Sequence, residues 1–360
     1  MKSPCSTNSQ YDLFDSSLNS EYESTLPEEI VISGQRIRTT PVFSAYWYFA
    51  AERQRIFFRR LYCHNSDSLT CDAILSDFKF TNAYRASDRV SQYLIRNVIY
   101  RDDLPNNDEE LFFRIILFKL FNKIQTWEHL QKQFGTITLS NFSYIEYEAA
   151  LRKLLEQKQR IYSAAYIMPS AKSHFGGSFK HQNHLRLIEF LLKNDFPKKL
   201  RDTVSMAEAY NLLLSAPTIG PFLAYQFVVD FNYSTLTNFD ESDFVVAGPG
   251  ALDGIFKCFN IAESLSAEEI IRYMYTNQQL YFSKLSLDFK SLWGRPLQLI
   301  DCQNIFCEIS KYARIAFPEI SGKLQRTRIK QKYSTGKSLP QPWYPPKWKL
   351  NEKIAQDSIL

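Results

Sequence analysis

Glycine is scarce in this chain, at 11 of 360 residues. That argues against the glycine-rich phosphate loops around which α/β nucleotide-binding folds are organised. No apolar run reaches the roughly 18 residues that a membrane-spanning helix needs, so no membrane association is expected. The N-terminus has no charged stretch followed by an apolar one, and no secretory signal is read there. Six cysteines (Cys5, Cys63, Cys71, Cys258, Cys302 and Cys307) are scattered, and none forms a C-x2-C pair. A structural zinc or iron–sulfur site is therefore not expected, and a reducing cytoplasmic setting fits best. The sequence also lacks a P-loop, G-x-S-x-G, H-E-x-x-H and G-x-G-x-x-G, and it shows no internal repeat. No cofactor is expected.

Aromatic and apolar residues are abundant. Hydrophobic residues make up 45% of the chain, and Phe and Tyr number 28 and 21. This is ample material for a large core, and the length allows roughly two domains. Net charge is only +5 but is unevenly placed. Residues 1–30 hold six acids and one base, Lys2, and read as a disordered acidic N-terminus. Residues 323–353 hold nine bases and one acid, Glu352, interleaved with Tyr333, Trp343, Tyr344 and Trp348. Lysine and arginine attract phosphates and aromatics stack on bases, so residues 323–360 read as either a solvated tail or a nucleic-acid contact.

Between these ends the apolar spacing is helical. Residues 43–62 form one such stretch, with Glu52 among Arg53, Arg55, Arg59 and Arg60. Glu52 can pair with an arginine at i+3 or line a base pocket, and Arg59 and Arg60 are candidates for a DNA backbone. Residues 69–77 read as a second helix start, with Thr70 as cap and Asp72 in the first turn. Residues 78–94 carry the densest polar cluster of an apolar region. As a helix they would put Asn82, Arg85 and Arg89 on one face and Tyr84 with Asp88 on another. Asn and Arg have the donors and acceptors that read a base edge, and an internal ion-pair network is the other reading. Residues 109–132 and 143–166 are expected as long helices. The polar loop 174–184 has three histidines but no acid, and Lys180 and His181 facing a phosphate are preferred there to a metal. Asp301, Asn304, Glu308 and Lys311 make a polar stripe on a helix over 299–312, either solvated or closing a polar cleft.

Residues 212–230 read as an αα-hairpin through Pro217, Thr218, Ile219 and Gly220. Gly220 is free to take positive φ, and Pro221 suits the first position of the second helix. Such a helix start offers free N–H groups to a phosphate, so Pro217 to Gly220 and Phe222 are candidate DNA contacts. The loop that follows holds Asp240, Glu241 and Asp243, then Gly248-Pro249-Gly250 and a helix over 251–259.

The hairpin segment Ala216-Pro-Thr-Ile-Gly-Pro-Phe-Leu-Ala resembles the helix-hairpin-helix of DNA glycosylases. More closely, residues 43–320 resemble the helical domain of 5-hydroxymethyluracil DNA kinases and of the alpha-glutamyl/putrescinyl thymine pyrophosphorylase group. The segments that carry this are Glu52-Arg53 with Arg59-Arg60, Phe80-Thr-Asn-Ala-Tyr-Arg-Ala-Ser-Asp-Arg-Val, Lys180-His-Gln-Asn-His-Leu, Gly220-Pro-Phe-Leu-Ala-Tyr-Gln, Ala247-Gly-Pro-Gly-Ala and Asp301-Cys-Gln-Asn-Ile-Phe-Cys-Glu-Ile-Ser-Lys-Tyr.

The resemblance implies an all-α, helix-hairpin-helix glycosylase-like fold over 31–322, with two lobes and a cleft. It implies action on hypermodified bases of bacteriophage double-stranded DNA. The kinase branch needs a P-loop domain, so its absence turns the expectation away from phosphoryl transfer. The expected activity is then a monofunctional DNA glycosylase of antiviral defence, excising a base such as glucosylated hydroxymethylcytosine and leaving an abasic site. Phe222 stands where lyase-type members have lysine. Asp243, or Asp240, would stabilise the sugar cation. Asn82, Tyr84, Arg85, Asp88, Arg89 and Glu52 would form the base pocket for a flipped nucleotide. Two other expectations stay open: a transferase or pyrophosphorylase-like enzyme acting on 5-hydroxymethyluracil-derived bases, and a non-catalytic reader of modified DNA.

Overall fold

The computed structural model describes residues 29–62, 69–164, 167–260, 265–334 and 339–357. The acidic stretch expected to be disordered lies, apart from Glu29 and Ile30, outside the described residues. The chain is mostly helical and divides into two compact units, each built from two separate stretches of sequence. One combines residues 1–88 with 245–342, the other 89–244 with 343–360. No described helix is long and apolar enough to cross a membrane. Among the described cysteines Cys258, Cys302 and Cys307 are free and Cys71 is disulfide-bonded, so scattered spacing did not exclude a bridge.

The first unit is not purely helical. Strands β1 (Glu29–Ile32) and β2 (Gln35–Thr39) form an antiparallel hairpin, and β3 (Phe259–Asn260) pairs with β2. The Ser33–Gly34 turn takes φ of 48° and 80°. Helix α1 (Pro41–Tyr62) runs through the core, burying Phe43, Tyr46, Trp47, Phe49 and Phe57. Its proline sits at the first helical position, where a missing N–H costs nothing. Helix α2 (Ala73–Asp77) is capped by Asp72, whose Oδ1 accepts from the N–H groups of Ile74 and Leu75. Thr70 stands one step back, its hydroxyl oxygen accepting from the Asp72 N–H.

Three further helices complete this unit: α12 (Pro249–Cys258), α13 (Ala267–Lys284) and α14 (Leu299–Ala316). Helices α12 and α14 approach most closely at Gly254, where an added Cβ would lie 2.0 Å from the Phe306 carbonyl oxygen. Backbone cannot step aside as a flexible side chain can. Gly254→Ala is therefore expected to destabilise the protein by about 1–3 kcal/mol or more, read as a lower denaturant midpoint. An unchanged midpoint would mean that the two helices do not meet there.

In the second unit α3 (Arg89–Tyr93) runs into a π-helical turn (Leu94–Ile99). The expected helix over 109–132 is two helices, α4 (Asp108–Phe121) and α5 (Ile124–Phe134), divided where Asn122 adopts a left-handed φ of 48°. Helix α6 (Tyr144–Glu156) stops well before residue 166, with Lys158 at φ 58°. After α7 (Lys172–Phe175), α8 (Lys180–Lys193) begins at the lysine itself, so most of the expected loop after Phe179 is helix. Helix α9 (Phe196–Arg201) then leads to α10 (Met206–Leu214), capped by Ser205, and α11 (Pro221–Phe231), which form the expected hairpin.

Pro221 is the first residue of α11, as expected, but the turn is made differently. Gly220 is an extended cap at φ −85°, and Thr218 takes the left-handed φ of 69°. The C-terminal stretch does not stay apart from the helices. Tyr344 is buried, Trp348 meets the Tyr233 ring edge-on, and Lys347 Nζ donates to the carbonyls of Ser234 and Thr237. Helix α15 (Asn351–Asp357) follows.

Candidate functional site

The polar segment 78–88 is where the candidate site is built, and it is not the expected helix. It runs extended to a single 3-10 turn at Arg85–Ser87, so no shared helical face joins Asn82, Arg85 and Arg89. The cause is tertiary. Its backbone groups are taken by side chains from α1 and α14, which competes with helix hydrogen bonding. Arg53 of α1 donates from Nε to the Thr81 carbonyl at 2.9 Å, and from Nη2 to the Phe80 carbonyl and to Asn82 Oδ1 at 3.1 Å. Glu308 of α14 accepts from the Thr81 N–H at 3.1 Å, and Asp301 accepts from the Arg85 N–H at 2.8 Å. Asp88 closes the loop by accepting from the Asn82 N–H at 2.8 Å, while Asn82 Nδ2 donates to the Ser87 carbonyl.

The charges are few and largely desolvated. Arg53 is buried, and burial lowers its pKa from the usual arginine value. Its Nη1 has no partner among the described residues. Glu308 is held by Lys311 Nζ at 2.6 Å. The Thr81 hydroxyl is buried with no partner among the described residues. Asp88 keeps part of its surface open but loses most of its hydration. Burial pushes its carboxyl up to about 7, the Glu308 charge adds to this, and the Asn82 N–H and Arg53 oppose it. A carboxyl that titrates near neutrality beside a guanidinium with a spare N–H can accept a proton from a hydroxyl held against it.

The other expected pocket residues are placed otherwise. Glu52 is buried and fully engaged, accepting from the Thr70 hydroxyl and pairing with Arg55 at i+3, both at 2.6 Å. Tyr84 is a core residue whose hydroxyl donates to the Arg295 carbonyl and accepts from the Leu292 N–H. Arg85 is buried, and Arg89 is exposed in the second unit. Arg59 donates to the Leu69 carbonyl, while Arg60 is half-buried with no partner among the described residues. Pro217, Thr218, Gly220 and Phe222 are half-buried and Ile219 is buried, all in the second unit. Lys180 lies over the Tyr162 ring, 4.7 Å from its centroid. Asp240 and Asp243 are exposed in that unit, where Asp240 Oδ1 accepts from both the N–H and the hydroxyl of Ser242. Among the described residues no three His, Cys, Asp or Glu side chains gather as a metal site.

A family model described as "5-hmdU DNA kinase, helical domain" matches residues 40–322, well over half of the chain. The chain belongs to the 5-hmdU DNA kinase helical-domain family. It is also 26% identical over 301 residues to a 5-hmdU DNA kinase of Bacillus phage SP10, an alignment covering 77% of this chain and 46% of the relative. The chain thus spans about half the length of the curated relative that it matches. No solved structure matches.

Membership in the 5-hmdU DNA kinase helical-domain family corrects the expected chemistry. Both matches point to a transferase, so the monofunctional glycosylase, its antiviral setting, and the hydrolytic role assigned to Asp243 or Asp240 are set aside. The missing P-loop misled, because the matching family is defined on the helical domain alone. Arg53 and Thr81 are not among the expected site residues, while Glu308 is expected only on a polar stripe that is solvated or closes a cleft. The available signal for Arg53 was its position four residues after Phe49 and four before Phe57, a charge on an otherwise apolar face.

Proposed function

We propose that this chain binds 5-hydroxymethyl-deoxyuridine in DNA and presents its hydroxymethyl group as the acceptor of a phosphoryl group, through Arg53, Thr81, Asn82, Asp88 and Glu308. The observation that carries this reading is the helical-domain match across residues 40–322, together with the named activity of the phage relative. The geometry supports it. A 5-hydroxymethyl-uracil ring offers an acceptor, O4, beside a hydroxyl on the 5-substituent. Arg53 Nη1 is a donor for the first and the Asp88 carboxylate an acceptor for the second. As the hydroxyl oxygen bonds to the γ-phosphorus of ATP and the bond to ADP breaks, Asp88 takes the hydroxyl proton, the role that the catalytic aspartate plays in kinases. Glu308 and Lys311 hold the loop that carries Thr81. The half-buried Arg60, in the same unit, is available for the phosphate backbone.

The test is mass spectrometry of nucleosides from DNA containing 5-hydroxymethyl-deoxyuridine, after incubation with ATP and the protein supplied with a nucleotide-binding half. A modified nucleoside with its glycosidic bond intact is expected. A released base and an abasic site would overturn the reading.

A further inference from the structure

Helix α1 carries a second polar group with no structural partner. Gln54 is fully buried, and neither its Oε1 nor its Nε2 has a hydrogen-bond partner among the described residues. A primary amide buried in this way normally finds partners, and leaving both ends unmet is costly. Its helix face is aromatic. Gln54 follows Trp47 by seven residues and precedes Phe58 by four, so the three share one helix face. Trp47 meets Phe282 at 5.1 Å, Phe282 stacks on Phe289 at 4.1 Å, and Phe58 meets Trp293 at 5.2 Å. The Trp47 indole N–H is likewise buried without a partner.

An amide set in aromatic walls is suited to a planar heterocycle, because the rings contact its faces while the amide donates and accepts along one edge. We infer that Gln54 is a specificity residue that pairs its amide with the imide edge of a pyrimidine base, the rings around it contacting that base. This rests on the reading of the chain as a binder of 5-hydroxymethyl-deoxyuridine, and it adds a second contact to the ring beside that of the neighbouring Arg53, the 5-substituent being left to Asp88. Gln54 is fully covered, so a base reaches it only when the packing over this helix face opens.

The experiment compares binding of two duplexes, one with a single 5-hydroxymethyl-deoxyuridine and one with an abasic analogue at the same position, by wild type and Gln54→Met. Methionine fills the space without an amide. Gln54→Leu serves as a second fill if the first variant does not fold. Wild type is expected to prefer the base-containing duplex, with a change in tryptophan emission. The variant is expected to lose that preference about tenfold, in line with the discrimination a good bidentate contact to a base provides. Its thermal midpoint is expected to hold or rise, since an unmet buried amide is gone. A wild type with no preference for the base overturns both the functional reading and this inference. A preference kept in the folded variant overturns the inference alone, and so does a lower midpoint with preference intact, which would make Gln54 structural.

Discussion

Asp88→Asn is expected to remove the pH step from the proposed recognition of 5-hydroxymethyl-deoxyuridine. In the wild type the preference for a duplex carrying this nucleoside over one carrying thymidine is expected to rise through about pH 7. Over that interval Asp88 ionises and becomes a charged acceptor for the hydroxymethyl group. A hydrogen bond to a charged group exceeds a neutral one by roughly 1 kcal/mol or more, so the step is about tenfold. In the variant the amide oxygen still accepts from the Asn82 N–H, and the preference stays flat at its low-pH level. Stability moves the other way. The folded-state pKa is raised from 3.8 to about 7, so the folded protein holds a proton that the unfolded chain releases. The stabilising contribution is full below pH 3.8 and is lost as pH rises through about 7. Asp88→Asn therefore gains stability relative to wild type across that window. Binding curves and thermal midpoints taken at pH 5, 6, 7 and 8 check both trends. A wild-type preference independent of pH would remove Asp88 from the site.

Lys119→Met is expected to cost about 3–5 kcal/mol of stability, because it strands a buried carboxylate. Lys119 on α4 meets Asp230 on α11 at 3.0 Å, both almost fully buried, and Nζ also donates to Asn122 Oδ1 at 2.8 Å. Phe112 and Phe231 stack beside them at 4.9 Å. The pair ties the second helix of the hairpin to the centre of its unit. Replacing both partners, as Lys119→Met with Asp230→Leu, removes the charge and its counter-charge together and recovers most of the loss. Chemical denaturation of the two single variants and the double variant gives the coupling. Additive single and double losses would show that the ion pair does not hold the hairpin.

The parts of the fold legible in the sequence are those set by local rules. Helical spacing and capping gave α1, the hairpin α10–α11 and the start of α11 at Pro221. The parts that were not legible depend on contacts distant in sequence. Residues 78–88 have helical spacing, yet Arg53, Asp301 and Glu308 take up their backbone groups. Asn122 ends α4 with a left-handed residue where periodicity alone continued the helix. Strand β3 pairs over two residues only, too short for any pattern to show. In the candidate site, Asn82 and Asp88 stood out because polar residues are dense there. Arg53 did not, because its charge was read as part of a basic helix and not as a buried donor. Asp240 and Asp243 drew attention through a resemblance to glycosylases that the family match does not support.

This helical chain is proposed to recognise 5-hydroxymethyl-deoxyuridine through the loop that Arg53 and Glu308 hold. The most direct measurement is fluorescence anisotropy with two duplexes of identical sequence, one with 5-hydroxymethyl-deoxyuridine and one with thymidine at a single position, at pH 8. Tighter binding of the hydroxymethylated duplex, lost in Arg53→Met while the variant remains folded, is the predicted result. Equal affinity for the two duplexes would contradict the account.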